Sequence, residues 1–365
     1  MKRDLITRLH HSPWRFVMAF AGGGSDLLSD LLTVPGASGT VIEAVVPYSG
    51  AAMGDFLGFT PEQFCSEQTA RQLAMSAFVR AEKLEPSHET ATAGLGVTAS
   101  LATEHPKRGE HRFYWAVQTV SQTIAGSCLL EKGKRSREEE ERFVADVLLE
   151  ELCHVAEISV FSRTDCSRRV AAAPEKWRLA LWGKESAVPL TKGTHLPKFL
   201  FSGSFHPMHD GHRKMAEIVR EKYSRDVALE LPLVNADKPP LDYIDLETRL
   251  AGIGGGYEVW LSRLATFRNK SRFFQGVTFI VGADTLRRIA EPRYYGSAEN
   301  RDSALRELAE NRCRFLCFPR KNGHFIETVE TLSLPEPLRN LCLSVSPEVF
   351  CEDISSTQLR EQKMS

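Results

Sequence analysis

Lys198–Ala216 runs K-F-L-F-S-G-S-F-H-P-M-H-D-G-H-R-K-M-A. The apolar run Phe199-Leu200-Phe201 ends in Ser202-Gly203-Ser204, and a helical pattern starts near Gly211, after a turn containing Pro207. Strand, tight loop and helix are predicted in that order. Such a loop suits a phosphate. Gly203 lets backbone approach a ligand, the loop amides of Ser202–Phe205 face outward, and the helix start offers unpaired N–H groups at the positive end of its dipole. His209 and His212 flank Asp210 and Gly211, which puts two imidazoles where phosphate oxygens would lie. Two other readings compete. His206, His209 and His212 are spaced by three as metal ligands can be, but Pro207 and Gly211 keep them off one regular helical face. A chance surface pair is the other, and the Gly-Ser-Phe at a strand end argues against it.

Working outward, strands are expected at Val227–Val234, Val277–Val281, Arg314–Phe318 and Leu341–Val345. Helices are expected at Gly211–Tyr223, over a long region Leu246–Phe267, near Thr285–Ala290 and Ser303–Glu310, and after Ser355. Repeated βα order implies a parallel, Rossmann-like sheet with helices on both faces and ligands at the carboxyl ends of its strands.

G-S-F-H-P-M-H-D-G-H resembles the H-x-G-H signature of the nucleotidylyltransferase superfamily, in its nicotinate/nicotinamide mononucleotide adenylyltransferase branch. Phe279-Ile-Val-Gly282-Ala-Asp284-Thr285 resembles that branch's strand-end G-x-D loop. Ile354-Ser-Ser-Thr357-Gln-Leu-Arg360 resembles its I-S-S-T-x-I-R motif, with Leu359 for Ile. The resemblance implies transfer of an adenylyl group from ATP to a phosphorylated acceptor, with pyrophosphate leaving. It implies His209 and His212 as catalytic residues on the ATP phosphates, the Ser202, Gly203, Ser204 and Phe205 backbone as their cradle, and Ser355, Ser356, Thr357 and Arg360 on the β and γ groups. Gly282 and Asp284 would line the nucleotide or acceptor pocket, with a helix N-cap as the plain role of Asp284. Lys198, Lys238 and Arg249 are candidates for the acceptor phosphate, with solvated surface charge as the plain role of Lys198 and Arg249. Mg2+ would accompany the triphosphate, without a dedicated protein ligand. His206 stands where many relatives carry Asp or Asn. No tryptophan segment for stacking the pyridine ring is evident, and Tyr257, Trp260 and Phe267 are substitutes for it.

At 365 residues the chain is long enough for two domains, each with its own core. Forty-six basic against 47 acidic residues leave a formal charge of −1, which gives no electrostatic footprint for nucleic acid. Eight cysteines lack C-x-x-C pairs, which argues against a zinc ribbon or a disulfide framework and fits a reducing compartment. Lys2, Arg3 and Arg8 precede an apolar stretch, Phe16–Ala21, that is too short for a signal sequence. No run approaches the ~20 apolar residues of a spanning helix. A soluble cytoplasmic protein with no membrane partner is expected, with an organelle or the nucleus left open.

Residues 1–162 are expected as a first α/β domain. Phe16–Phe20 and Thr40–Tyr48 read as strands, with Ser25 or Asp26 capping a helix Leu27–Leu32. Thr69–Leu84 and Arg137–Ile158 read as helices, and Thr92–Thr98 and Phe113–Val120 as further strands. Ala21-Gly22-Gly23-Gly24-Ser25 alone is either a phosphate loop or a plain turn. V-P-G-A-S from Val34, V-V-P-Y-S from Val45 and L-G-V-T-A-S from Leu95 resemble the C-terminal domain of the CinA family, which includes nicotinamide mononucleotide deamidases. The family's nucleophilic serine then falls on Ala21, which cannot attack an amide. Its activating lysine falls on Met53, while Tyr48, Thr98 and Arg137 match family positions. A degenerate pocket without hydrolysis follows, unless Ser25 substitutes through a shifted alignment. Residues 163–196 are expected as a linker whose Trp177–Trp182 segment docks on one domain, and 197–365 as the nucleotidylyltransferase domain. Assembly of copies through the first domain stays open.

Three alternatives remain at this stage. The first is a catalytically silent nucleotide sensor, and the second an adenylyltransferase for a different acceptor. The third is class I aminoacyl-tRNA synthetase kinship, suggested by the H-x-G-H loop and the terminal Lys363-Met364-Ser365, and opposed by the missing basic surface.

Overall fold

The computed structural model describes residues 2–85, 91–105, 107–191, 195–234, 239–322 and 325–351. They fall into two compact units, Met1–Pro174 with Asp237–Asp245, and Glu175–Ala236 with Leu246–Ser365.

The first unit runs α1 (Lys2–His10), β1 (Trp14–Ala21), α2 (Asp26–Thr33), β2 (Val41–Val45), α3 (Gly50–Leu57), α4 (Glu67–Leu84), β3 (Ala91–Ser100), β4 (His111–Gln118), β5 (Gln122–Leu130), α5 (Arg137–Val155) and β6 (Ser167–Ala172). Its sheet has the order β2-β1-β3-β4-β5-β6, parallel across β2, β1 and β3 and antiparallel from β3 onward. Strand alternation divides β1 between two cores. Phe16, Met18 and Phe20 join Leu27, Leu31, Trp115, Leu148 and Leu152, whereas Ala19 and Ala21 join Met53, Leu57 and Leu73. The acidic start of α5 is fixed by a capping box, in which Ser136 and Glu139 satisfy each other's backbone N–H groups. Residues 242–245 complete this unit. Arg71 of α4 holds Asp242 at 2.5 Å and Asp245 at 2.9 Å, and the Tyr243 hydroxyl donates to Val120 O at 2.7 Å.

The second unit runs α6 (Glu175–Trp182), β7 (Ala187–Pro189), β8 (Phe199–Ser202), α7 (Asp210–Tyr223), β9 (Val227–Pro232), α8 (Tyr243–Ile253), β10 (Glu258–Ser262), α9 (Phe267–Phe273), β11 (Thr278–Gly282), α10 (Ala283–Ala290), α11 (Ala298–Glu310), β12 (Arg314–Phe318), β13 (Arg320–Asn322), β14 (Phe325–Glu327), α12 (Glu336–Arg339) and β15 (Cys342–Ser344), with the start of α8 counted to the first unit. Its main sheet has the order β15-β12-β11-β8-β9-β10-β7, parallel except for β7. The chain leaves β8 toward β9 and β10, then returns to β11 on the other side of β8. The order therefore reverses between β8 and β11, which opens a crevice at their carboxyl ends.

Two expectations change. Residues 163–196 are not a bare linker: β6 pairs with β5, whereas α6 and β7 belong to the second unit, where β7 pairs with β10. Alternation in Ser167–Ala172 is masked by two arginines, so composition hid the strand. The helical region Leu246–Phe267 is also interrupted. Gly254-Gly255-Gly256, with φ of +74° and +93° at its ends, terminates α8, and Glu258–Ser262 becomes a sheet strand. Sequence reading also missed α1, whose Ile6 and Leu9 are buried in the first core.

Candidate functional site

The site is built where β8 gives way to α7. Gly203 N–H donates to Glu230 O at 3.1 Å, so the sheet ladder holds the chain up to the loop. A Cβ on Gly203 would lie 3.0 Å from Cζ of Phe205, whose ring is buried over it. Phe205 has a φ of +44°, and its ring meets Phe201 edge-on at 5.4 Å. The loop is thus pinned by a buried aromatic side chain. The backbone of Ser204 stays on the outer side, where Arg249 Nη1 donates to its carbonyl at 3.2 Å.

His209 is the N-cap residue of α7 and His212 stands in its first turn. Their rings stack with centroids 3.7 Å apart and planes 25° apart. Gly211 permits this, because a Cβ there would lie 3.1 Å from the His209 ring. His209 N–H donates to His212 Nδ1 at 3.3 Å, which leaves the proton of a neutral His212 on Nε2. Burial, aided by the neighbouring His209 and Arg213 and opposed by Asp284, pushes the His212 imidazolium down to about 3. His212 is therefore a neutral hydrogen-bond donor at pH 7, set in the positive end of a helix.

Across the crevice, β11 ends in Gly282, which caps α10. Asp284 is accordingly in the first turn of α10 and is not the cap. It pairs with Arg320 at 2.9 Å and lies within electrostatic reach of His212. The structure thus gathers Ser202, Gly203, Ser204, Phe205, His209, His212, Arg249, Gly282 and Asp284 at the carboxyl ends of β8 and β11. Lys198 is not among them. It precedes β8 at the opposite end of the strand, about 13 Å from Ser202 at the usual rise per residue. Lys238, Ser355, Ser356, Thr357 and Arg360 lie outside the described residues. Trp260 and Phe267 are packed, Trp260 against Phe274 and Phe267 against Phe279 and Phe315, and Tyr257 lies under Arg220.

Sequence reading missed a polar network beneath the loop. Glu230 of β9 is fully buried and accepts from the hydroxyls of Ser202 and Ser262 and from Lys270 Nζ at 2.6 Å. Lys270 also donates to Ser202 Oγ at 2.5 Å. Neither charge was legible: Glu230 interrupts an apolar strand and Lys270 sits in a basic helix, 40 residues apart. Arg320 was missed too, although a basic residue two positions past a strand end is a readable signal.

In the first unit the glycine-rich turn is bound to α5. Arg137 donates to Gly22 O at 3.0 Å, and Glu141 accepts from Ser25 Oγ at 3.0 Å and from Asp26 N at 3.4 Å. Ser25 is thus the N-cap residue of α2, as expected, but its own hydroxyl makes no cap hydrogen bond and the Glu141 carboxylate takes the Asp26 N–H in its place. Ala21 and Met53 share one apolar cluster, the Thr98 hydroxyl donates to Ser66 O at 3.1 Å, and Tyr48 is exposed. Ala21 and Met53, the positions at which the resemblance expects a nucleophile and its activating lysine, thus lie in apolar packing.

Residues 200–362 match the family described as cytidylyltransferase-like. These residues are a cytidylyltransferase-like domain. The domain is that of a nucleotidyltransferase enzyme. A relative from Fusobacterium nucleatum subsp. nucleatum, described as a probable nicotinate-nucleotide adenylyltransferase, is 23% identical over 45% of this chain and 85% of its own. The N-terminal part is similar to solved CinA-type structures. The competence/damage inducible protein CihA of Agrobacterium tumefaciens is 20% identical, covering 43% of this chain and 92% of its own, with a TM-score of 0.32. A CinA superfamily protein of Enterobacter cloacae is 17% identical over 43% and 92%, with a TM-score of 0.35. Among the described residues no helix is long and apolar enough to cross a membrane, and no group of three or more His, Cys, Asp or Glu side chains offers a metal site.

Proposed function

We propose that the second unit transfers an adenylyl group from ATP to the phosphate of nicotinate or nicotinamide mononucleotide, releasing pyrophosphate. The observation that carries this reading is the stacked His209–His212 pair at the amino end of α7, beside the loop and facing the β8/β11 crevice. The name of the Fusobacterium relative supports the acceptor.

In such a transfer an acceptor phosphate oxygen attacks the α-phosphorus in line, and the bond to the bridging oxygen of pyrophosphate breaks. Charge grows on equatorial and leaving oxygens, so the protein positions and neutralises. The neutral His212 can donate from Nε2 to a phosphate oxygen, and the α7 N-terminus adds its dipole. Arg249 orients the loop through Ser204 O. Magnesium enters with the triphosphate and neutralises part of its charge. Ser355, Ser356, Thr357, Arg360 and Lys238 are assigned to substrate phosphates by motif alone. The first unit is a silent deamidase-like domain in this reading.

The test is pyrophosphate release by the full chain with ATP and magnesium against nicotinamide mononucleotide, nicotinate mononucleotide and phosphopantetheine, with His212→Ala as control. Release with a mononucleotide, falling about 100-fold or more in the variant, is expected. ATP binding without release for any acceptor would leave the nucleotide sensor instead.

A further inference from the structure

Beneath the loop lies a buried ion pair that the chemistry above does not use. Lys270 is 4% exposed and Glu230 is not exposed at all. Glu230 accepts from Lys270, Ser202 and Ser262, while Lys270 donates to both Glu230 and Ser202 and lies 5.2 Å from the Phe267 ring centroid. A buried pair of this kind is weak evidence for stability, since desolvation offsets much of the attraction and apolar replacements are often neutral. What it supplies here is geometry. The Ser202 hydroxyl donates to Glu230 and accepts from Lys270, which fixes its rotor. Glu230 also takes the Gly203 N–H on its main-chain carbonyl. One residue of β9 therefore holds both positions at which β8 turns into the loop.

We propose that the Glu230–Lys270 pair is a positioning device for the phosphate loop, acting through Ser202 and Gly203 on the placement of the His209–His212 pair. The proposal rests on the adenylyl-transfer reading for its catalytic consequence and on geometry for its structural one. In-line transfer is sensitive to misplacement of about 1 Å, which can cost about 100-fold in rate. The pair touches no substrate in this arrangement, so its loss should appear in turnover more than in ATP binding.

Lys270→Met alone leaves a buried carboxylate without its partner and is expected to unfold the unit, so the test uses Glu230→Leu with Lys270→Met. Far-UV circular dichroism and thermal melting should report a folded chain. The kcat for pyrophosphate release should fall about 100-fold while the KM for ATP changes less than about threefold. Amide hydrogen exchange at residues 203–209 should rise about tenfold, with β11 and β12 unchanged. A folded double variant with either turnover or loop exchange at the parent's value overturns the proposal. If the parent itself releases no pyrophosphate, the adenylyl-transfer reading fails, and loop exchange alone decides this one.

Discussion

The imidazoles of His209 and His212 lie face to face, 3.7 Å between centroids, with the first backbone N–H of the pair given to Nδ1 of the second. Two protonated rings could not hold this stack without repulsion. Burial makes His212 the neutral ring, and the charge of a protonated His209 would add to that selection.

A pH dependence of stability follows from that depression. Unfolded His212 takes up a proton near its ordinary value of 6.5, whereas the folded residue resists down to about 3. Its contribution is present above pH 6.5 and is lost as pH falls toward 3, at no more than about 1.4 kcal/mol per pH unit. Urea unfolding of the full chain at pH 7.5, 6 and 5, compared with His212→Asn, should show a shallower decline in the variant. Parallel curves would place the proton elsewhere, for example on His10, which burial also pushes down.

Gly203→Ala should distort the loop. The added Cβ meets the Phe205 ring at 3.0 Å, and that ring is held by Phe201. A loss of about 1–3 kcal/mol is expected, with kcat/KM for pyrophosphate release down at least about tenfold. Phe205→Leu in the same chain should recover part of the stability. Wild-type melting for Gly203→Ala would mean that the ring moves aside freely.

Local order made the phosphate loop legible. His209 and His212 are cap and first-turn residues of one helix, so their spacing in sequence is their spacing in space. Gly282 and Asp284 likewise follow one strand end. Glu230 and Lys270 escaped because the sheet order, not sequence distance, brings β9 and α9 under Ser202. Lys198 misled for the opposite reason: adjacency to the motif put it at the wrong end of a strand. The helix expected through Phe267 failed because Val259, Trp260 and Leu261 fit helical and strand patterns alike, and the glycines before them decide.

Met53→Lys would place an ammonium in the apolar cluster of Ala21, Leu57 and Leu73, where Met53 is 3% exposed. Desolvation should hold that lysine well below its ordinary value. Between its folded and unfolded values the unfolded chain then binds more protons, so the variant's deficit is full below the folded value and shrinks as pH rises toward about 10.4. A Tm at least about 5 °C below the parent at pH 7, narrowing by pH 9.5, is expected. The parent should release no ammonia from nicotinamide mononucleotide, and Ala21→Ser alone should not confer release. Ammonia from the parent would point to Ser25, whose hydroxyl here is occupied by Glu141.

Glu151 is one of two acidic side chains of α5, with Glu140, that are fully enclosed in the first unit. Arg168 of β6 grips both its oxygens at 2.9 Å, and Trp115 Nε1 donates to one of them at 3.2 Å. Arg168→Ala removes the compensating charge and leaves the carboxylate with the indole alone. A loss of about 3 kcal/mol is expected, the low end for broken buried pairs because the Arg168 side chain keeps 20% exposure. Glu151→Leu combined with Arg168→Met removes the charge together with its partner and should restore most of the loss. Thermal melts of the three chains separate the cases. Equal destabilisation of single and double variants would mean that β6 is held by packing of the arginine stem, and not by the ion pair.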